Sequence, residues 1–294
     1  MQELLAMLPA GARVLDLGCQ YGSFAADVTP ATVVRLDRDA PSAPGGRLPQ
    51  GEAASPQAVI RDHSLEDFDR LDRDAPSAPG ARFVQADAAH LPFAAASFQA
   101  VISNHSLEHF DRLDEVLHEI GRVLHPDGAL FVAVPDASTL TDKIYRWLGK
   151  GGGHVNPFTD AAALAQRIER ATGLRHRSTQ PLWSSLSFLN RRRAPRPLPR
   201  RLWLLGGGGE WSLFLYVWLS RRIDRWFGTR TGIYGWAFTF GAAPAPRDPE
   251  GWPNVCLRCG SGCAVNELSP SRTFPGMDTY RCPHCGAQNP FCRA

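Results

Sequence analysis

Five short, nearly continuous apolar runs most constrain what this chain can fold into: Arg13 to Leu17, Thr32 to Leu36, Arg82 to Ala86, Phe98 to Ser103 and Ala129 to Val134. Runs of that length and continuity are the pattern of parallel strands covered on both faces. Parallel strands need crossovers, and one is legible: Leu113, Val116, Leu117, Ile120, Val123 and Leu124 recur at helical spacing between the fourth and fifth runs, with Pro126-Asp127-Gly128 as a stop and turn. A later helix is expected from Thr159 or Asp160, with Leu164 and Ile168 on its buried face and Gly173 beyond its end, and Gly235 to Phe240 reads as a final strand. The alternation defines an α/β chain.

A duplicated segment interrupts this pattern. RLDRDAPSAPG occurs at Arg35 to Gly45 and again, unchanged, at Arg70 to Gly80; QAVIRDHSLEDFDRLD from Gln57 is matched by QAVISNHSLEHFDRLD from Gln99. Two copies cannot build a solenoid, which needs at least about three stacked units. The first copy has Pro49 where the second has Val84, and proline is poorly tolerated in a central strand. Copy one, from about Arg38 to Asp72, therefore reads as an insertion extruded after the second strand.

Composition excludes several classes. With 294 residues, 44% apolar and 21% charged, the chain can bury a sizeable core. A formal charge of +3 gives no global attraction to nucleic acid or membrane. The longest apolar stretch, Leu202 to Leu219, is cut by four glycines and Glu210 and makes a poor membrane span. The first residues, Met1-Gln2-Glu3, lack the positive stretch of a signal peptide, so the expected compartment is the cytoplasm.

The first strand runs into VLDLGCQYGSF, an acid (Asp16) followed by Gly18, Cys19, Gln20 and Gly22. A loop from a strand's carboxyl end to a helix is where open α/β sheets hold nucleotide-like ligands. A dinucleotide loop would carry further glycines at positions 20 and 23, where this chain has Gln20 and Ser23. The loop instead resembles motif I of class I S-adenosylmethionine-dependent methyltransferases, with Gln20 in place of the usual middle glycine. SNHSLEHF after the fourth strand, LHPDGALFVAVP and GHVNPFT are similar to segments of the type-11 subgroup. The resemblance covers about residues 11 to 175. It implies a Rossmann-like, doubly wound, mostly parallel sheet that binds S-adenosylmethionine. It also implies that Asp37 accepts hydrogen bonds from the ribose hydroxyls and that Asp87, with Ala88, lies near the adenine. Asn104 and His105 would stand near the reactive end.

Methyl transfer from a sulfonium is an in-line displacement with a neutral leaving group, so positioning can carry much of the catalysis. A base helps when the acceptor is an unactivated hydroxyl or amine. His105 is the candidate for that base, and a hydrogen-bonded wall residue is the plainer reading of the same histidine. His154 in GGGHVNPF is a further wall candidate.

Two features lie outside the resemblance. Between Arg191 and Arg230, ten arginines face Glu210 and Asp224, a local charge of +8. They surround WSLFLYVWLSRRIDRWFG, where Leu215, Leu219, Ile223 and Trp226 share a helical face. An ordinary core helix, an interfacial helix at an anionic membrane and an RNA-binding surface all remain open for this segment. At the carboxyl end, Cys256-Leu-Arg-Cys259-Gly and Cys282-Pro-His-Cys285-Gly form two CxxCG knuckles resembling a zinc ribbon. Cys263 and Cys292 are left over as alternative ligands or plain thiols.

The expected organisation is a methyltransferase domain over 1–240, a Pro/Gly/Ala-rich linker over 241–253 and a small zinc-ribbon domain over 254–294. The expected activity is S-adenosylmethionine-dependent methyl transfer to a small-molecule or lipid-like acceptor, with peripheral membrane contact. The alternatives are an RNA or protein methyltransferase docking through the arginine tract and ribbon, and a non-catalytic scaffold whose pocket the insertion has disabled.

Overall fold

The computed structural model describes residues 1–19, 31–38, 81–148, 153–192, 207–246, 251–274 and 277–292. Seven strands form one sheet in the order β3-β2-β1-β4-β5-β7-β6: β1 (Arg13–Leu17), β2 (Thr32–Asp37), β3 (Ala81–Gln85), β4 (Phe98–Asn104), β5 (Leu124–Pro135), β6 (His176–Trp183) and β7 (Ile233–Gly241). The pairs β1/β2, β2/β3, β1/β4 and β4/β5 are parallel. Chain order runs outward from β1 to β3 on one side, then resumes with β4 on the other. This reversal creates the crevice at the strands' carboxyl ends where such sheets bind ligands. The sheet is the doubly wound, Rossmann-like one expected, and β3 comes from the second copy of the duplicated segment. Residues 39–72 of the first copy lie outside the described residues.

The chain divides into two compact units. The first comprises Met1–Val134, Ala161–Ser178 and Phe238–Pro246. Its sheet centre is fully apolar: Val14, Leu15, Leu17, Ala100, Val101, Ile102, Leu130 and Val132 are all buried. Helix α1 (Gln2–Met7) was not legible in the sequence. Helix α2 (Leu113–Val123) buries five of the six spaced residues that predict it, and the sixth, Leu124, opens β5 instead. Against α2 runs α4 (Ala161–Thr172), burying Leu164, Ala165 and Ile168. The two approach so closely that a Cβ at Gly121 would come within 2.8 Å of the Thr172 backbone. Gly173, at φ +71°, ends α4 as expected.

Strand β5 begins at Leu124 rather than Ala129. The Pro126-Asp127-Gly128 turn is accommodated where the β4/β5 register shifts between Phe98 and Ala100, so it interrupts the ladder without ending the strand. Strand β6 carries no apolar run and contains Pro181; it sits at the sheet's edge, where proline costs least.

The second unit comprises Pro135–Asp160, Thr179–Ala237 and Arg247–Ala294. It contains α3 (Leu140–Leu148), α5 (Glu210–Phe227), an antiparallel pair β8 (Asn254–Val255) and β9 (Gly262–Cys263), and the antiparallel sheet β10 (Ser271–Phe274), β11 (Met277–Arg281), β12 (Gln288–Pro290). Helix α5 buries Leu213, Val217, Ser220 and Arg221. Leu213 packs with Leu186, Leu189 and Leu257. Leu257 lies between the first two knuckle cysteines, so the cysteine region and α5 share one core. Polar clamps reinforce it: Arg258 donates to both Glu210 carboxylate oxygens at 2.6 and 3.0 Å, and Asn190 Nδ2 to the Leu257 carbonyl at 2.9 Å. Of the Arg191 to Arg201 tract, residues 193–201 lie outside the described residues.

Candidate functional site

Each of four neighbouring strands delivers one sequence-predicted residue or pair to its carboxyl end. Asp16 lies in β1 and Gly18 directly follows it, Asp37 is the last residue of β2, Asp87 and Ala88 follow β3, and Asn104 ends β4 with His105 next. Asp16 and Ala88 are buried, while Asp37, Cys19, Asn104 and His105 are partly exposed. Gln20 and Gly22 lie outside the described residues.

The turn after β1 is built on Gly18. Its φ is +74°, and its N–H donates to the Leu36 carbonyl at 2.8 Å, pinning the turn against β2. A Cβ on Gly18 would overlap the Ser106 Cβ. Glycine is thus required twice, by backbone conformation and by contact. The Cys19 thiol is pushed up to about 12, first by burial and then by the negative charges of Asp16 and Asp37. A thiol held protonated in this way is a poor nucleophile.

After β3, Asp87 Oδ1 accepts the Ala89 N–H at 3.0 Å, and Oδ2 is paired with Arg112. The Arg112 guanidinium also reaches Glu115 at 2.9 Å. Asp87 is therefore engaged on both oxygens, an ordering of the loop that the sequence did not reveal. The same loop is fastened to α2 by Glu119 and Arg122. Glu119 accepts the Leu91 N–H at 2.7 Å, and Arg122 donates to the carbonyls of Phe93 and Leu91 at 2.7 and 2.9 Å.

After β4, His105 adopts φ +56°, a left-handed conformation uncommon for a side-chain-bearing residue. Its N–H bonds to the Ala133 carbonyl at 2.8 Å. Its Nδ1 lies 3.7 Å from the buried carboxylate of Glu108, too long for a hydrogen bond but close enough for charge to act. The next residue, Ser106, bonds the Leu17 carbonyl at 2.9 Å and Ser103 Oγ at 2.6 Å. Glu108 carries no role in the sequence, and Ser103 and Ser106 were missed, because the contact of Ser106 with Gly18 and Leu17 requires the β1/β4 pairing.

In the second unit the four knuckle cysteines converge. Their sulfurs all lie within 4.8 Å of one another, with Cys256 to Cys285 at 3.5 Å and Cys259 to Cys282 at 3.7 Å. Four thiolates at about 2.3 Å from one tetrahedral ion would stand about 3.8 Å apart, so the donor set fits zinc. Both knuckles close alike: the N–H of Gly260 bonds the Cys256 carbonyl at 2.9 Å and that of Gly286 the Cys282 carbonyl at 2.8 Å. Cys263 and Cys292 are not members of this set of four. Cys292 is bound through its backbone to both ends of the Asn254 amide, at 2.8 and 2.9 Å.

A fold of this order with acids and a glycine turn at its switch point defines a class I S-adenosylmethionine-dependent methyltransferase. A family model described as "Methyltransferase domain" matches residues 1–178, and the chain belongs to that family. Among solved structures, a chain of the Haloferax volcanii complex between the Trm112 methyltransferase activator and its methyltransferase partner is similar at 18% identity, over 82% of this chain and 87% of that one, with a TM-score of 0.46. The Burkholderia thailandensis 1,6-didemethyltoxoflavin-N1-methyltransferase, with bound 1,6-didemethyltoxoflavin and S-adenosylhomocysteine, is 17% identical over 82% and 75% of the respective chains (TM-score 0.42). A S-adenosylmethionine-dependent methyltransferase from Archaeoglobus fulgidus is 14% identical over 78% and 86% (TM-score 0.45). No curated protein matches the chain. No described helix is long and apolar enough to cross a membrane.

Proposed function

We propose that the chain transfers the methyl group of S-adenosylmethionine to a small-molecule or lipid-like acceptor at a membrane surface. The observation that carries the methyl-transfer part is the row of polar residues at four adjacent strand ends: Asp87, Asp37, Asp16 with Gly18, and Asn104. In this reading Gly18 and Cys19, together with Gln20 and Gly22 that follow them in sequence, contact the amino-acid part of the cofactor. Asp37 accepts bonds from the ribose hydroxyls. Asp87 and Ala88 border the adenine, Asp87 being held in place by Arg112. Asn104 lines the reactive end. When bound, the cofactor supplies the electrophilic methyl group.

His105 is the proposed base. In this reading its imidazole takes the proton that the acceptor loses as the methyl group is transferred, with the Glu108 carboxylate 3.7 Å from Nδ1. The four cysteines are proposed to hold one zinc ion. A closed set of four thiolates leaves no position for substrate, so its role is to fold residues 254–294, which have little core of their own.

The lipid-like acceptor is supported by α5, whose Trp211, Leu215, Leu219, Trp226 and Phe227 are 45 to 76% exposed. Incubation with methyl-labelled S-adenosylmethionine and fractionated cell material tests the reading. Label in the organic-extractable or small-molecule fraction is expected. Label confined to RNA or protein would overturn the acceptor class, and no label in any fraction would overturn the enzyme.

A further inference from the structure

The exposed stripe of α5 leads into a cavity that neither the methyl-transfer site nor the cysteine cluster uses. The cavity, about 600 Å³, lies wholly within the second unit between α5 and the strands that follow it. Four arginines line it, Arg221, Arg222, Arg225 and Arg272, against Asp224 and Asp278. The formal balance of the lining is four positive charges against two negative, with Asp278 set against Arg272. Asp224 accepts the N–H groups of Thr231 and Gly232 at 2.7 Å each, and Asp278 lies 3.7 Å from Arg272. Arg221 is the buried floor, donating to the carbonyls of Ser184 and Gly232 at 2.8 Å each and lying 4.5 Å over the Trp183 ring. The cavity is therefore positive, and its walls are aromatic.

Helical spacing joins this cavity to the stripe. Residues 211, 215, 219, 222 and 226 recur at three- or four-residue intervals and share one face. That face is opposite the one buried through Leu213, Val217 and Ser220. Arg222 stands within it, its guanidinium 4.9 Å from the centre of the Trp218 ring and 5.8 Å from that of Trp226. The stripe from Trp211 to Trp226 is about 22 Å long at 1.5 Å per residue. A surface with leucine and tryptophan along its length and arginines among the tryptophans of its carboxyl-terminal part suits a bilayer's boundary: acyl chains beside the apolar part, headgroup phosphate beside the cations.

We propose that the Arg222/Arg225 cavity is a binding site for the phosphate headgroup of an anionic phospholipid, with the α5 stripe lying in the adjoining acyl region. The inference rests on the membrane-surface part of the proposed function and not on methyl transfer, since no candidate cofactor residue lines the cavity. Tryptophan adds a practical handle, because ring burial in lipid shifts its fluorescence.

The zinc-loaded full chain is sedimented with vesicles of phosphatidylglycerol or of phosphatidylcholine. At least tenfold tighter binding to phosphatidylglycerol is expected, lost in Arg222→Gln/Arg225→Gln and retained in Arg222→Lys/Arg225→Lys. Leu215→Ser/Leu219→Ser, two exposed positions, is expected to weaken binding to both vesicles, and unchanged melting by circular dichroism controls for folding. Equal binding to the two vesicles would overturn the headgroup site while leaving surface contact intact. Binding to neither would overturn both. Displacement from phosphatidylglycerol by single-stranded RNA at equal phosphate concentration would overturn the lipid assignment in favour of nucleic acid.

Discussion

Gly18 and Ser106 stand so close across the β1/β4 crevice that a single methyl group on Gly18 would overlap the Ser106 Cβ. The serine is not free to retreat, since its hydroxyl is bound to the Leu17 carbonyl at 2.9 Å and to Ser103 at 2.6 Å. Gly18→Ala also places a side chain at φ +74°. The variant is expected to lose about 1–3 kcal/mol of stability from backbone strain and overpacking and to bind S-adenosylhomocysteine at least tenfold more weakly. Ser106→Gly in the same chain should recover part of the loss. Chemical denaturation and calorimetry of the single and double variants check both points.

The loop after β3 should respond to acid through Glu119. Its hydrogen bonds from Arg122 hold its carboxyl below the ordinary 4.5, with the Leu91 N–H adding to the effect and burial opposing it. A carboxyl acidified by folding stabilises the fold fully above its unfolded pKa and loses that contribution as pH falls through the folded one. Glu119→Gln is expected to cost about 1 kcal/mol at pH 7. The gap between variant and parent urea midpoints should narrow steadily below pH 4.5. A gap independent of pH would assign the effect to packing instead.

Arg221 offers a sharper test of the second unit. Three carbonyls, of Ser184, Gly232 and Pro253, depend on its guanidinium. Arg221→Ala leaves them buried with a partner removed, and a loss of about 2–4 kcal/mol is expected. Lysine has one cationic centre and no planar fork, so Arg221→Lys should recover little. Thermal melts followed by circular dichroism distinguish the three chains.

Metal analysis of the purified chain should give one zinc per molecule, reduced to background in Cys256→Ser/Cys285→Ser. Because Leu257 shares a core with Leu186, Leu189 and Leu213, chelation should loosen α5 together with the knuckles. Hydrogen exchange is expected to rise in Glu210–Phe227 as well as in 254–292. Exchange confined to 254–292 would show that α5 folds without the ion.

Much of this molecule was legible from short-range pattern. The first five strands are long enough and apolar enough to declare themselves, and Gly18, Asp16 and Asp37 fall at fixed distances along consecutive elements. The two CxxCG knuckles likewise carry their geometry in their spacing. What escaped depends on neighbours distant in sequence. Strand β6, HRSTQPLW, has no apolar run, because an edge strand needs none. Arg112 reaches Asp87 from 25 residues away, and Ser106 reaches Leu17 from 89. The Leu215, Leu219, Ile223 and Trp226 face of α5 was legible as a face, but its outward direction was not. The helix instead turns Leu213, Val217, Ser220 and Arg221 inward, a buried set no hydrophobic pattern would select.

The central claim is that the strand-end acids hold S-adenosylmethionine. Calorimetric titration of the zinc-loaded chain with S-adenosylmethionine and S-adenosylhomocysteine, beside an Asp16→Ala/Asp37→Ala variant, tests it most directly. Micromolar binding by the parent, weakened about 100-fold or more in the variant, a difference of about 2.8 kcal/mol, is the predicted result. No binding by the parent, or equal binding by both, would contradict it.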